Sequence, residues 1–246
     1  TIDPVQVEKA ITNKTKAVLA VDFAGNPHDT YGIRKLCDEY QLLYIADAAQ
    51  SFGAQCLDIP SSSLADVMVV SLSTGKPLSA GEGACILMNS FCLYEKLLQF
   101  THPFRINIEL GLRKQVEMVY LNGRINPFSA IMAMHNFDWA IQNLNKFQRK
   151  YNKQKESLEK FDFISFPKIR GISSLFYQFA FSQRRFDDDK VQEILRLFAK
   201  PIAIDFNIPF EPVYNFPAKK KKFSSQVRIE GCNKAEEYHH KMFMIN

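Results

Sequence analysis

The sequence lacks most of the features that place a protein quickly. Its five cysteines, Cys37, Cys56, Cys85, Cys92 and Cys232, form no Cys-x-x-Cys pair and no Cys/His ligand spacing. An odd number without such spacing speaks against a disulfide framework and against a structural zinc site, and fits reduced thiols in a cytoplasmic protein. No apolar run approaches the roughly 20 residues that a bilayer-spanning helix needs, and no signal-peptide pattern opens the sequence. Charge of one sign is also scarce. Lys and Arg number 31 against 26 Asp and Glu, a net +5, and four of those lysines sit in one run, Lys219 to Lys222. Without that run the chain is close to neutral, so no general nucleic-acid surface is indicated. The run itself reads as a solvated loop, with attraction of an anionic nucleotide diphosphate as the sharper alternative. No Gly-x-Gly-x-x-Gly follows a strand, and "GEGA" at 81–84 sits between strands rather than opening a long helix, which argues against a nucleotide-binding dehydrogenase. His28, His102 and His135 form no ligand pattern and read as surface or core residues. The adjacent His239 and His240 would point to different faces of a helix. No metal site is expected, and no internal repeat is evident.

What is present is an ordinary globular composition, 46% hydrophobic and 23% charged over 246 residues, enough for one large domain or one and a half. "AVLAVDF" at 17–23 is continuously apolar, as a strand covered on both faces would be. "DTYGIRKLCDEY" follows with Ile33, Leu36 and Tyr40 at helical spacing and Asp29 as N-cap. "LLYIAD" at 42–47, "VMVVSL" at 67–72 and "ACILM" at 84–88 read as three more strands. Strands alternating with helices predict a mostly parallel α/β sheet. Beyond residue 90, "SFCLYEKLLQF" is amphipathic and 102–126 looks irregular. A long helical stretch then runs from Pro127, a residue suited to a first helical turn, to about Phe161. Its apolar positions Ile131, Met134, Phe137, Ile141, Leu144 and Phe147 recur every three to four residues. From about 173 a strand "LFYQFAFS", a helix "DDDKVQEILRLFAK" and a strand "PIAIDF" make a small α+β unit, followed by a Pro- and Lys-rich loop. The expected organisation is therefore a large domain over 1–126, a connecting helix over 127–162 and a small C-terminal α+β domain over 163–246.

In open α/β sheets ligands sit beyond the carboxyl ends of the strands. Asp47 ends one strand, in "IADAAQSFGA" at 45–54; taken alone it is most simply a cap for the next turn. Ser71 nearly ends another strand. Lys76 lies just past it, in a turn made of Ser73, Thr74, Gly75 and Pro77. A carboxylate, a hydroxyl and an amine can thus converge at one sheet edge, and pyridoxal phosphate needs all three. Its aldehyde needs a lysine for a Schiff base, its ring nitrogen needs an acid partner, and its phosphate needs hydroxyls and backbone N–H groups. Gln50, about one turn after Asp47, could touch the ring or its 3′-oxygen. The plainer readings stand beside these: Lys76 as a surface lysine, Ser71 as a strand-end hydroxyl, Gln50 as a polar turn residue. Glu82 reads as structural, satisfying backbone in a tight turn.

"VDFAGNPHD", "IADAAQSFGA", "ADVMVVSLSTGKPLSAGEGA" and "NGRINPFSAIMA" resemble, in order and spacing, consecutive blocks of the DegT/DnrJ/StrS family of pyridoxal-phosphate-dependent nucleotide-sugar aminotransferases. The resemblance runs from Thr1 to about residue 160 and is weaker over the small domain. It implies part of a fold-type-I large domain, a mostly parallel sheet flanked by helices, joined by a long helix to a small α+β domain. It places the ring-nitrogen acid on Asp47, the cofactor-contacting amide on Gln50, the phosphate-binding serine on Ser71 and the catalytic Schiff-base lysine on Lys76. It also places on Asn122, beside Arg124, an asparagine that reaches the phosphate of the neighbouring subunit's cofactor, which implies a homodimer with composite active sites. Two departures are mild: Leu72 stands where the family usually has Phe, and Ala84 where it has a second Gly. A third concerns length, since the resemblance implies further residues before Thr1 and after Asn246, so the chain is expected to be incomplete at both ends.

The activity so implied is transfer of an amino group from an amino acid, glutamate by resemblance, to a keto group of a nucleotide-linked sugar. A related branch of the family dehydrates sugars and replaces the lysine with histidine; Lys76 argues against that branch. The competing expectation is a non-catalytic remnant or partner subunit that dimerises or binds nucleotide sugar without turnover.

Overall fold

The computed structural model describes residues 1–102, 121, 123–168, 171–173, 178–183, 188–192, 204–205 and 242–245. The chain divides into two compact units, one of residues 1–144 with 170–174, the other of residues 145–169 with 175–246.

The first unit is built on a four-stranded sheet of order β1-β2-β5-β6. Its strands are β1 (Ala17–Val21), β2 (Leu43–Asp47), β5 (Val67–Ser71) and β6 (Ala84–Met88). The first three run parallel, with Val21 paired to Asp47 and Asp47 to Val69, while β6 returns antiparallel with Ala84 beside Ser71. The apolar segments of the sequence locate all four strands. Side chains alternate across a strand, so Val18, Ala20, Tyr44 and Ala46 share one face and Leu19, Val21, Ile45 and Asp47 the other. The first set is buried against α1 (Pro4–Ala10) and α2 (Thr30–Glu39), in a core that includes Ile33, Cys37, Leu42 and Ala65. The second face is more open: Leu19 is 58% exposed.

Helix α2 begins where Asp29 caps it, Oδ1 accepting the Gly32 N–H at 3.0 Å. Ile33 and Leu36 lie on its buried side, as their spacing predicts, whereas Tyr40 is exposed at the C-cap. Three short strands, β3 (Gln55–Cys56), β4 (Ile59–Pro60) and β8 (Gly171–Ile172), form a separate small sheet. Helix α3 (Phe91–Thr101) is N-capped by Ser90.

The long helix α4 (Pro127–Leu158) starts where the sequence places it, with Asn126 Oδ1 accepting the Phe128 N–H. Its apolar period is real, but the face it marks is largely uncovered: Ile131, Met134, Phe137 and Ile141 are all exposed. Within the first unit, its residues up to 144 pack instead through small side chains. Ala140 and Ala133 pack with Phe52, Leu72, Leu78 and Ala80, and Phe137 meets Phe52 edge to face at 6.0 Å. Small side chains let a helix come close to the turns it supports, and these turns carry the candidate site.

The second unit contains an antiparallel sheet of order β10-β11-β9-β7. Its strands are β7 (Ile164–Ser165), β9 (Gln178–Ser182), β10 (Ile204–Asp205) and β11 (Met242–Ile245). The expected strands near 175–182 and 201–206 correspond to β9 and β10, and the expected helix is present at 189–192. Strand β11 lies in the C-terminal segment, for which the resemblance implies a helix and a strand. Lys219 to Lys222, His239, His240 and Cys232 lie outside the described residues. Among the described residues no helix is long and apolar enough to cross a membrane.

Candidate active site

Asp47 is the last residue of β2, at the carboxyl edge of the parallel strands. Its Oδ1 accepts the Ala49 N–H at 3.0 Å, which turns the carboxylate along the chain leaving the strand. No other hydrogen bond to this carboxylate occurs among the described residues. Its backbone is held from both sides: the Asp22 N–H donates to Asp47 O at 3.0 Å, and the Ala48 N–H to Val69 O at 2.9 Å. The following turn contains Gly53 at φ 81°, where a Cβ would lie 2.4 Å from Leu144 Cδ1 on α4. It also contains Ser51, whose hydroxyl is buried and has no hydrogen-bond partner among the described residues.

Ser71 ends the neighbouring strand β5. Asp47 pairs with Val69, and Ser71, two residues further along β5, shares the face of Val69. Asp47 and Ser71 therefore lie on one face at one edge. Ser71 Oγ accepts the Ser73 N–H at 3.3 Å, so the hydroxyl takes part in the turn that leads to Lys76. That turn is closed by the Lys76 N–H donating to Ser73 O at 3.1 Å, with Gly75 in the left-handed region at φ 83°. A second layer pins it. The Thr74 N–H and hydroxyl both donate to Gly81 O, at 2.6 and 2.9 Å, and the Leu72 N–H donates to Gly83 O at 2.9 Å. Glu82 accepts the Ser73 hydroxyl at 2.9 Å. The partner of Glu82 in this turn is thus a side chain, where backbone was expected. Lys76 is half-buried in this turn.

Gln50 Oε1 accepts the Ala24 N–H at 2.6 Å. A backbone N–H can only donate, so the bond fixes which end of the Gln50 amide faces Ala24 and turns the NH2 group the other way. Ala24 belongs to the 3-10 turn Phe23–Gly25 that follows β1, and its φ of 59° is unusual for a residue with a side chain.

Behind this turn lies a polar cluster that the sequence did not reveal. Asp22, His28, Tyr44, Thr30 and Ser62 are each fully buried. Asp22 Oδ1 accepts His28 N at 2.9 Å and His28 Nδ1 at 2.6 Å, and its Oδ2 accepts the Ser61 and Ser62 hydroxyls at 2.7 and 2.9 Å. A carboxylate cannot donate, so His28 carries a proton on Nδ1, and its Nε2 is hydrogen-bonded to the Tyr44 hydroxyl. Burial would push the Asp22 carboxyl up, but the His28 and Ser61 hydrogen bonds outweigh it and hold the group below the ordinary carboxylate range. Burial pushes the Tyr44 phenol far up, against a smaller opposing effect of the Thr30 hydrogen bond. His28 was expected on the surface or in the core; it is a core histidine, and the only sequence signal for its role is that it shares a Pro-broken turn with Asp22.

Of the residues singled out in the sequence, the structure brings Asp47 and Ser71 to one edge and face, with Lys76 in the turn directly beyond Ser71 and Gln50 in the turn directly beyond Asp47. Asn122 lies outside the described residues. A carboxylate with spare accepting capacity, a hydroxyl able to donate and a half-buried amine are groups that pyridoxal phosphate requires, so the residues present fit it. No group of three His, Cys, Asp or Glu suited to a metal occurs among the described residues.

Comparison with known proteins bears on the family and the fold. The family model of the DegT/DnrJ/EryC1/StrS aminotransferase family matches residues 1–246. A Helicobacter pylori UDP-4-amino-4,6-dideoxy-N-acetyl-beta-L-altrosamine transaminase is 26% identical over 133 residues, 54% of this chain and 35% of that protein. A Bacillus subtilis 3-oxo-glucose-6-phosphate:glutamate aminotransferase is 28% identical over 175 residues, 68% of this chain and 38% of that protein. Among solved structures, Helicobacter pylori PseC, an aminotransferase of pseudoaminic acid biosynthesis, superposes with a TM-score of 0.80 at 21% identity, over 99% of this chain and 64% of that one. At that identity the likeness concerns the fold. The chain spans little more than a third of the length of these curated relatives.

Proposed function

The chain belongs to the DegT/DnrJ/EryC1/StrS aminotransferase family, and from that premise we propose that it is the cofactor-binding part of a pyridoxal-phosphate-dependent aminotransferase acting on a keto group of a nucleotide-linked sugar. The observation that carries this reading is the placement of Asp47 and Ser71 at the ends of adjacent strands, on one face, with Lys76 in a pinned turn just beyond.

Bound there, pyridoxal phosphate supplies an electron sink for the carbon next to the transferred amino group. The chain's residues do the rest. Lys76 Nζ would hold the cofactor and, once displaced from it by the incoming amine, would carry the proton taken from the substrate carbon. Asp47 keeps the ring nitrogen protonated, and its spare accepting capacity suits that task. Ser71 would donate its hydroxyl to the phosphate, and Gln50 would lie against the ring or its 3′-oxygen. The amino donor in this proposal is glutamate; the Bacillus subtilis relative's name includes it. The sugar is nucleotide-linked, as in the name of the Helicobacter pylori relative. Lysine rather than histidine at position 76 favours amino transfer over sugar dehydration.

We propose further that the protein acts in the cytoplasm as a homodimer in which Asn122 reaches the neighbouring subunit's cofactor. The free thiols of Cys37, Cys56, Cys85 and Cys92 suit a reducing compartment. The uncovered apolar face of α4, with Phe128, Ile131 and Met134 exposed, suits an interface.

The test uses the full-length protein with added pyridoxal phosphate, reduced with borohydride and mapped by peptide mass spectrometry. The expected adduct is on Lys76 and absent from Lys76→Ala. An adduct on another lysine, or one that survives Lys76→Ala, overturns the assignment.

A further inference from the structure

We propose that Asp22, with His28 and Tyr44, forms a positioning unit for Gln50, holding its amide at the cofactor edge through the Phe23–Gly25 turn. This rests on the cofactor-binding reading given above. The unit sits on the opposite face of the sheet from Asp47. Val21 pairs with Asp47, so alternation places Asp22 on the helix-covered side with Tyr44 and Ala46. The turn after β1 runs from that side to Gln50, which its Ala24 N–H reaches.

Two features indicate more than a core filler. First, a fully buried carboxylate is costly unless every partner is in place, and an apolar residue would fill the space at less risk. Here all the partners are in place: Asp22 accepts from His28 N, His28 Nδ1, Ser61 and Ser62. His28 is tied in turn to Tyr44, and Thr30 Oγ1 accepts the Ser62 N–H at 3.3 Å. Second, two side-chain-bearing residues adopt the left-handed region around it, Ala24 at φ 59° and Ser62 at φ 67°. Such backbone is unfavourable and persists only where the surroundings over-determine it. Ser62 is held directly by Asp22. Ala24 is bracketed by Asp22 before it and His28 after it, and its conformation is what presents its N–H to Gln50.

Backbone clamping at both ends of the turn explains how a cluster on one side of the sheet sets an amide on the other. Asp22 N–H is bonded to Asp47 O, and Asp22 Oδ1 accepts His28 N–H. The acid-bearing strand end and the Gln50-bearing turn are therefore registered to the same residue.

Two measurements test this. In the protein without cofactor, exchange of the Ala24 amide is followed by NMR. It should speed up at least about tenfold in Gln50→Ala, in Asp22→Asn and in Tyr44→Phe, a tenfold change being about the worth of one hydrogen bond. In the cofactor-loaded protein, the pyridoxal phosphate dissociation constant is measured for Asp22→Asn, Gln50→Ala and the double variant. Each single change should weaken binding about tenfold, and the double variant should be no weaker than about tenfold, because the two residues act in series. If Asp22→Asn does not fold, Tyr44→Phe, which keeps the ring and deletes only the hydroxyl, replaces it in the cycle. Unchanged exchange at Ala24 in the Asp22 and Tyr44 variants overturns the proposal, as does a double variant weakened about a hundredfold. Failure of the wild-type protein to bind pyridoxal phosphate at Lys76 overturns the proposed activity instead, and the Ala24 exchange still decides the anchoring.

Discussion

Gly53 and Leu144 meet with no space for a side chain between them. A Cβ on Gly53 would lie 2.4 Å from Leu144 Cδ1, and the glycine sits at φ 81°. This contact presses α4 against the turn that follows Asp47. Gly53→Ala combines backbone strain with overpacking and is expected to cost about 1–3 kcal/mol in urea unfolding. Because the clash is with a side chain, Leu144→Ala should remove part of the penalty. The double variant would then be destabilised by less than the sum of the singles, and strict additivity would show that the contact is not what makes position 53 intolerant.

Asp47→Asn keeps the shape of the carboxylate and removes its charge. The amine of Lys76 should still capture cofactor under borohydride, since its turn is held by Ser73, Thr74 and Gly81 independently of Asp47. Turnover should fall about 100-fold or more, the usual scale for losing one preorganised electrostatic partner. Steady-state kinetics at saturating substrate gives the answer, and an unchanged kcat would remove Asp47 from the proposed role.

Asp22 and Tyr44 give the stability opposite slopes at the two ends of the pH scale. The Asp22 carboxyl is held below its ordinary range, so between its native value and about 4 the unfolded chain binds the extra proton. Its contribution is complete above about 4 and is lost as the pH falls through the native value. The Tyr44 phenol is raised by burial. The unfolded chain therefore ionises first, and stability declines as the pH climbs above about 10. Unfolding free energies against pH should show a shallower acid limb in Asp22→Asn and a shallower alkaline limb in Tyr44→Phe. Curves parallel to wild type would mean that neither group titrates with folding.

Met134 is 79% exposed on the apolar face of α4. Met134→Glu should leave the thermal transition almost unmoved, as expected of a surface change. If that face joins two copies, the same change should shift sedimentation of the full-length protein toward the monomer. A dimer of unaltered strength would place the interface elsewhere.

The strands and the edge they share were legible in the sequence because each signal is local. β1, β2, β5 and β6 are continuous apolar segments, and Asp47, Ser71 and Lys76 sit at or just past strand ends. The polar cluster was not legible because its members are local to nothing. Asp22 and His28 flank a broken turn, whereas Tyr44 belongs to another strand, brought in by the parallel pairing of β1 with β2, and Ser61 and Ser62 to a later loop that folds back on Asp22. The exposed stripe on α4 misled for a different reason. Period marks an apolar face but not what covers it, and here Ala133 and Ala140 make the contact alongside Phe137 and Leu144, while Ile131 and Met134 stay exposed. Two-residue strands such as β3, β4 and β8 carry too few side chains for any period to show.

The antiparallel return of β6 onto β5 bears on the order in which the site is assembled. The turn with Lys76 is closed by strands that follow one another directly, so little chain entropy is lost in forming it. Asp47 is placed by two parallel pairings, each reached only through an intervening crossover. Contacts close in sequence form faster than distant ones. In refolding followed by pulsed hydrogen exchange, the amides of 72–83 should therefore gain protection before those of 43–48. The refolding chain would then hold the turn of Lys76 in place before Asp47, and simultaneous protection of the two segments would contradict that order.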